Sequence, residues 1–576
     1  MRERERIGGL PAVAFAAATV LFALEILIPK VLLFLHVVAN LLRILPLTFL
    51  GLAAGGGVAL LAPTPRMLRG LFAAVAPTLL ALGALLSVTV DVTVLTVAMT
   101  VPFVLLGGVL AAALSLGDRP RVYAADLAGA LAGLSAGVFF LPVLGGEAMW
   151  LCLAAGSGLA AWRMLPGRAG LLAGVLPAVV ACSLLTIVDK VNLLRIVPDF
   201  AVRDGAVERP GFLLAHRHLR EGGNRLLATR WSAIARVDVI DSADYLFDRF
   251  FEGVPGAAPI PRSGGRRSVN LYYDNTLFSV VSKRHHLLDK HFLALHDAPE
   301  VLIIGVGGGD DIARAVDAGA TRVVAVEING ATIDLMRGPF AEVSNRVYDL
   351  AEVVHLDGRA YVESTTRTFD VINLFFADLY VPFPNSNVFL ENYLYTLEAF
   401  DAYLDRLKPG GVLHVGKWFG QASGNPEMLR MTATAAEALR RRGLDPAARI
   451  VFVRIDFGAQ IYGSDAGYLL VKREPFTEDE LSRIRALAEP PFVLEAAPGM
   501  AGGEVGELSG RGAEAWGAHP QDIAPTADDR PFFYEFDREH RLNRDLLVLL
   551  LVVSGVVLVP LFGAGLRFGG TGGAGG

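Results

Sequence analysis

The sequence predicts a polytopic α-helical domain of membrane character, followed by an α/β domain that carries a small β-rich lobe on its N-terminal side. Three observations predict this architecture. Apolar runs of about twenty residues, the length that spans a hydrocarbon layer, recur from Leu10 to Val188. Far downstream, Glu300-Val-Leu-Ile-Ile-Gly-Val-Gly-Gly-Gly-Asp-Asp311 joins a continuous apolar run to a glycine turn, the pattern of a strand buried on both faces. Between them, Asn270-Leu271-Tyr272-Tyr273, Asp274-Asn275 and Thr276-Leu277-Phe278-Ser279-Val280-Val281 read as a hairpin on an Asp-Asn turn.

Composition agrees with a divided chain. Of 576 residues, 53% are hydrophobic, too many for a single soluble protein of ordinary make-up. The apolar runs place spans at about 10–28, 44–62, 71–90, 94–116, 122–144, 148–165 and 170–188, with an eighth at 546–563. Residues 1–189 are therefore expected to form a membrane domain of about seven helices, and 190–290 a linker with the β-rich lobe. Residues 291–475 are expected to form the nucleoside-binding domain and 476–545 a C-terminal extension. A last transmembrane helix (546–567) and a disordered glycine tail (568–576) complete the chain. A net charge of −6 argues against a nucleic-acid partner. The two cysteines, Cys152 and Cys182, both fall inside expected spans, so neither a disulfide framework nor a cysteine metal site is expected.

Arg2, Arg4 and Arg6 precede the first apolar run, and no small-residue cleavage pattern follows it, so this run reads as a retained span. Arg66, Arg69, Arg119, Arg121, Arg163 and Arg168 lie on alternate loops, which the positive-inside rule assigns to the cytoplasm. Seven spans would then put the α/β domain outside. Its own flanks, with Lys190 and Arg195 before it and Arg538, Arg541 and Arg544 after it, are basic as well. The expectation is a plasma (inner) membrane protein whose α/β domain is cytoplasmic. Glu25 and Asp126 lie within apolar runs, where the favoured reading is a snorkelling or interfacial carboxylate. Gly55-Gly56-Gly57 reads as close helix packing.

Within the α/β domain, Gly305, Gly307 and Gly309 form a G-x-G-x-G turn in which missing side chains let a ligand approach the backbone. Ile312–Ala318 reads as a helix whose N-terminus faces that turn. Val323-Val-Ala-Val-Glu327 reads as the next strand, ending in an acid 22 positions after Gly305, near the spacing at which an acid takes up a nucleoside ribose in Rossmann-like folds. Ala351–Leu356 then closes on Asp357-Gly358, followed by Phe369-Asp-Val-Ile-Asn-Leu374 and Leu407-Lys-Pro-Gly-Gly-Val-Leu-His-Val415. Pro426–Arg442 reads as an amphipathic helix, Val451–Phe457 and Gly467–Lys472 as the last strands, and Ala497–Gly517 as loop.

These blocks resemble the class I S-adenosylmethionine-dependent transferases, and within them the membrane-embedded spermidine-synthase-like (polyamine aminopropyltransferase-like) group. The resemblance rests on Leu302–Gly305 with its glycine run, Val326-Glu327-Ile328-Asn329, Asp357-Gly358-Arg359-Ala360, Phe369–Ile372 and Leu407–Gly411. It implies a Rossmann-like fold that binds S-adenosylmethionine or decarboxylated S-adenosylmethionine. Glu327 would hold the ribose hydroxyls and Asp357 the adenine amino group. Ile328, Gly358, Asn373 and Asp310 complete the expected nucleoside site, with Asp310 also suited to cap its helix. Pro525–Tyr534 resembles a segment of the same group and reads as a clamp, Asp528, Asp529 and Arg530 pinning the loop while Phe532 and Phe533 pack on the core. His285-His286 to His291 reads as a polar helix face lining the cleft, not a metal site.

Active aminopropyltransferases carry two aspartates three apart after the fourth strand, a base and an amine ligand. Phe375 matches the first and Asp378 the second. The group's Tyr-His-Glu element is not recognisable, and Phe278 stands near where a ligand-binding glutamine is expected. Asp378, with Tyr380 beside it, is the candidate for handling the acceptor. Three readings follow: methyl transfer to a small-molecule or lipid-like acceptor, slightly favoured; aminopropyl transfer to a polyamine; and a nucleoside-binding sensor on a membrane module. An acidic pocket would favour the decarboxylated donor, a basic or amide-lined one the parent compound.

Overall fold

The computed structural model describes residues 9–35, 41–61, 63–88, 92–165, 167–186, 225–232, 234–242, 268–274, 277–281, 293, 295–377, 391–420, 426–456, 464–500 and 503–539. The expected last span, the glycine tail, the histidine cluster at 285–291 and most of the 190–290 linker lie outside them. The described residues divide into two compact units. A helical unit takes those up to 186 together with 230–236, and an α/β unit takes 225–229 and those from 237 to 539.

The helical unit comprises α1 (Leu10–Leu35), α2 (Leu41–Leu61), α3 (Pro65–Val88), α4 (Val92–Leu116), α5 (Arg119–Met164), α6 (Gly167–Gly170) and α7 (Leu176–Leu185), the last two joined by a π-turn at Leu171–Val175. Among the described residues, five helical stretches are long and apolar enough to cross a membrane, and Thr48–Leu61 is a shorter apolar one. Two of the expected spans, 122–144 and 148–165, fall within the single element α5. They are separated by Gly145, whose φ of 80° and ψ of 165° break the helix. Small residues let the helices touch backbone to backbone. A Cβ on Gly55 of α2 would lie 1.9 Å from the Val104 carbonyl oxygen of α4, and one on Gly129 of α5 would lie 2.3 Å from that of Phe15 in α1. Residues 230–236 seat on the same unit. Trp231 covers Gly145 and Gly146, Arg236 pairs with Glu147 at 3.4 Å, and Lys30 Nζ donates to the Ile234 carbonyl at 2.6 Å.

The α/β unit holds two sheets. The smaller, β1 (Arg225–Arg230), β2 (Val237–Ser242), β3 (Ser268–Tyr273) and β4 (Leu277–Val281), is ordered β1-β2-β3-β4. Strands β1 and β2 are separated by the 231–236 segment. Strands β3 and β4 pair antiparallel as a hairpin whose turn residue Asp274 has φ 45°.

The larger sheet is ordered β12-β10-β11-β9-β8-β5-β6-β7. Its parallel part is β5 (Glu300–Ile304), β6 (Arg322–Glu327), β7 (Glu352–His355), β8 (Phe369–Phe375) and β9 (Leu407–Gly420). Strands β10 (Ile450–Ile455), β11 (Ser464–Lys472) and β12 (Phe492–Ala496) close it with antiparallel pairings. The order runs outward from β5 in both directions, so a crevice opens between β5 and β8 at their carboxyl ends, where open α/β sheets bind ligands. Helices α8 (Asp310–Asp317), α9 (Gly330–Arg337), α10 (Gly358–Ser364), α11 (Leu397–Asp405), α12 (Pro426–Arg441) and α13 (Glu478–Leu487) connect the strands. One face of the sheet, through Leu302, Ile372, Leu374, Leu413 and Val415, buries against Phe400, Tyr403, Met428 and Phe533.

Residues 497–517 depart from the loop expected of their glycine-rich composition. They contain α14 (Glu504–Arg511) and α15 (Ala513–Ala518). Val505 and Leu508, three apart and therefore on one helical face, join the core, and that burial overrides weak intrinsic propensity.

The last described segment, 522–536, is held by Arg430 of α12. This fully buried guanidinium donates to the carbonyls of Phe532 (3.1 Å), Phe533 (2.7 Å) and Asp522, and pairs with the Asp522 carboxylate at 3.5 Å. Burial pulls its pKa down to about 10 against the opposing pull of Asp522. Lys417 of β9 points into a box made by Tyr395, Phe533 and Tyr534. Replacing Arg430 with methionine leaves buried carbonyls without their donor and, among the described residues, the Asp522 carboxylate with Arg530 alone at 3.2 Å. The expected loss is about 3 kcal/mol, read as a lower thermal midpoint together with new proteolytic cleavage within 522–536.

Candidate functional site

The carboxyl ends of β5, β6, β7 and β8 bring the sequence-predicted nucleoside residues to one edge of the sheet. After Ile304 the chain turns through Gly305, Gly307 and Gly309 with φ of 83°, 53° and 89°, a conformation that side chains oppose. The turn is also crowded. A Cβ on Gly305 would stand 2.8 Å from Ala377 Cα, and one on Gly309 would stand 2.4 Å from Val347 Cγ1. Helix α8 starts directly behind it, with Asp310 and Asp311 in its first turn.

Glu327, ending β6, is 6% exposed. Its Oε2 accepts from the Gly307 N–H at 3.1 Å and its Oε1 from the Asn329 N–H at 2.8 Å. Each carboxylate oxygen keeps further acceptor capacity for a ribose hydroxyl. Burial raises the carboxyl above its usual range while the backbone donors oppose that rise. Asn329 Oδ1 caps α9 by accepting from Ala331 N–H at 3.1 Å, and its buried Nδ2 has no hydrogen-bond partner. An orphaned buried donor two residues beyond Glu327 is what a polar ligand at this edge would satisfy.

Asp357 caps α10, its Oδ1 accepting from Ala360 N–H at 2.9 Å, and its side chain is exposed. Gly358 brings that helix against β5, since a Cβ there would lie 2.3 Å from Ile304 Cγ2. Strands β6 and β7 run in parallel register with Glu327 opposite His355. The next residue on each, Ile328 (41% exposed) and Leu356 (38%), is an apolar side chain open to solvent, beside Glu327 and before Asp357 respectively. Two open apolar groups thus lie next in sequence to the buried Glu327 carboxylate and the exposed Asp357 carboxylate, a lining suited to a flat apolar ligand group.

The small sheet and the 347–350 turn contribute groups that sequence reasoning did not single out. Gly308 N–H donates to Ser279 Oγ at 2.7 Å, Thr332 Oγ1 donates to Tyr273 Oη at 3.2 Å, and Tyr348 Oη donates to the Gly307 carbonyl at 2.8 Å. Burial beside Glu327 holds both tyrosines far above their usual pKa, so they stay neutral. The hairpin spacing predicted the strands but not which hydroxyl meets the turn.

Asn373 stands buried in the middle of this sheet, its Oδ1 accepting from His414 Nδ1 at 2.6 Å, so the side chain meets the neighbouring strand. Phe375, ending β8, stacks on His414 at 5.5 Å and lies over Gly416, where a Cβ would be 2.0 Å from its ring. Phe376 follows with φ 52° and packs edge-on against Phe375 at 4.6 Å. The carboxyl end of β8 is thus aromatic where the sequence match expects a carboxylate. Asp378 and Tyr380 lie outside the described residues, as does the side chain of Phe278.

The donor edge is acidic. Asp310, partly buried, has its carboxyl pushed by burial up to about 7, with Arg314 opposing and Asp311 adding to the rise. Arg314 pairs with Asp311 at 3.1 Å, and Arg359 with Glu363 at 2.7 Å and Asp528 at 3.2 Å, so both nearby guanidiniums are already compensated. Folded protein keeps a proton on Asp310 that unfolded chain releases between its ordinary range and about pH 7. Stability therefore falls as pH rises through that window. The Asp310→Asn variant should match wild type near pH 4 and exceed it at pH 8 in thermal unfolding.

Comparison with known proteins places residues 283–428 in a match to the spermine/spermidine synthase domain. Polyamine aminopropyltransferase 2 of Hyperthermus butylicus is 32% identical over 133 residues, 22% of this chain and 42% of the relative, so the chain spans less than half the length of that curated protein. Among solved structures, spermidine synthase from Thermotoga maritima shares 20% identity at a TM-score of 0.31, over 44% of this chain and 75% of that one. Spermidine synthase in complex with the transition-state analogue AdoDATO shares 19% identity at 0.31, over 50% and 83%. Human methyltransferase-like protein 13 in complex with SAH shares 20% at 0.24, over 35% and 85%.

Proposed function

We propose that this spermidine-synthase-like α/β domain is a transferase that moves an aminopropyl group from decarboxylated S-adenosylmethionine to an amine. The helical unit anchors it in the inner membrane, with the domain on the cytoplasmic side where such donors are made. The observation that carries the reading is the acidic donor edge. Asp310 and Glu327 flank the glycine turn and the neighbouring arginines are paired off, so the parent compound's carboxylate would meet like charge and an ammonium would not. The matched domain and the named activity of the relative support the same choice. It replaces the methyl transfer that the sequence slightly favours.

When bound, the donor supplies a positively charged sulfur that makes its neighbouring carbon open to in-line attack. The chain supplies position and charge. Glu327 holds the ribose, Ile328 and Leu356 cover the purine, and Asp357 receives its amino edge. Asp310 faces the cationic chain, and a cation there lowers its pKa back toward the ordinary range. Asp378 orients the acceptor amine and takes its proton, with Tyr380 beside it. The Phe375–Phe376 pair supports a second reading, methyl transfer from the parent compound to an apolar, membrane-held acceptor.

Calorimetric titration with both donors separates the two. Tighter binding of the decarboxylated donor is expected, and preference for the parent compound would favour the second reading. Binding below pH 7 should release a proton that Asp310→Asn no longer releases. Glu327→Ala should abolish detectable binding of either donor, and unchanged affinity would remove the ribose assignment. Asp378→Asn should keep donor affinity and lose turnover by about a hundredfold or more, whereas full activity would remove it from the chemistry.

A further inference from the structure

The Pro525–Tyr534 segment, which the proposed reaction leaves without a role, touches the site's framework at two places. Asp528 Oδ2 meets Arg359 Nη2 at 3.2 Å, and Arg359 stands two residues after Asp357 in the helix that Asp357 caps. Its Oδ1 accepts from the fully buried Thr396 hydroxyl at 2.6 Å, and its backbone N–H donates to Glu398 at 2.9 Å. Around it, Leu397 N–H donates to the Thr526 carbonyl at 2.8 Å, Thr526 Oγ1 to the Tyr395 carbonyl at 2.9 Å, and Asn392 N–H to the Pro531 carbonyl at 2.7 Å. Residues 391–398 are the first described residues after the segment that carries Asp378. One carboxylate therefore ties the start of the purine-side helix to the stretch into which the acceptor-side segment runs. It comes from a part of the chain outside the family match.

We propose that Asp528 is a positioning residue that sets helix α10, whose start Asp357 caps, and residues 391–398 relative to each other. The 522–536 segment, anchored by Arg430, serves as its rigid mount. The inference rests on the nucleoside site assigned above. An ion pair with an exposed carboxylate contributes little by itself. Here the partners are buried: Arg359 is 9% exposed and Thr396 is 0%. Removing Asp528 leaves both with one partner fewer, and the loss falls on α10 and on residues 391–398.

The test uses the full-length protein in detergent, with hydrogen–deuterium exchange as one readout and calorimetry with 5′-methylthioadenosine as the other. Asp528→Ala should speed exchange about tenfold in 357–364 and 391–398, leave β5 and β6 protected, and weaken the nucleoside about tenfold. Asp528→Glu should restore most of both. Thr396→Val, which keeps the ion pair, should loosen 391–398 and spare 357–364. Unchanged exchange in both segments, or faster exchange spread evenly through the α/β unit, would overturn the proposal. Should wild type bind no nucleoside, the donor-site reading fails, and the exchange pattern still decides the role of Asp528.

Discussion

The site depends on Glu327 holding a turn that only glycine can form. The three left-handed glycines bring backbone N–H groups to the crevice, but such a turn has little to fix it beyond its own sterics. Glu327 accepts from Gly307 in the turn and from Asn329 at the start of the next helix, joining β5 to β6 across the point where a nucleoside would lie. Ser279 and Tyr348 complete the enclosure from two other elements. Burying a carboxylate is costly, and the backbone donors offset part of that cost. A ligand with hydroxyls to donate would offset more.

Charge extends the same logic. Asp310 and Glu327 are both disfavoured as anions by burial, while Arg314 and Arg359 are each committed to carboxylates. An edge in this state is poised for a cation, because a cation relieves the burial cost of its carboxylates, and an anion would add to it. At the neighbouring strand end, Phe375 and Phe376 replace charge with aromatic surface. The glycine turn and the end of β8 thus differ sharply in polarity.

The mount for this crevice lies far along the chain. Arg430 and Lys417 take polar or aromatic partners from 522–536, and Asp528 carries the segment to Thr396. Buried cations of this kind are destabilising unless several partners converge, and here backbone carbonyls and aromatic faces do converge. The segment gains a fixed place on the domain, and Asp528 gains a fixed direction.

Much of this was legible in the sequence because it follows from local rules. Apolar run length gave the helices, the strand–glycine–helix–acid order gave β5, α8 and β6, and the apolar run closing on Asp357-Gly358 gave β7. Where local rules failed, tertiary contact had decided. The glycine-rich 497–517 became helix because Val505 and Leu508 found the core, and Asn373 turned to His414 on the adjacent strand. No spacing in the sequence could place Ser279 on the glycine turn or Asp528 on Arg359. Those pairs are separated by 29 and 169 positions, and only the folded chain brings them within hydrogen-bond reach.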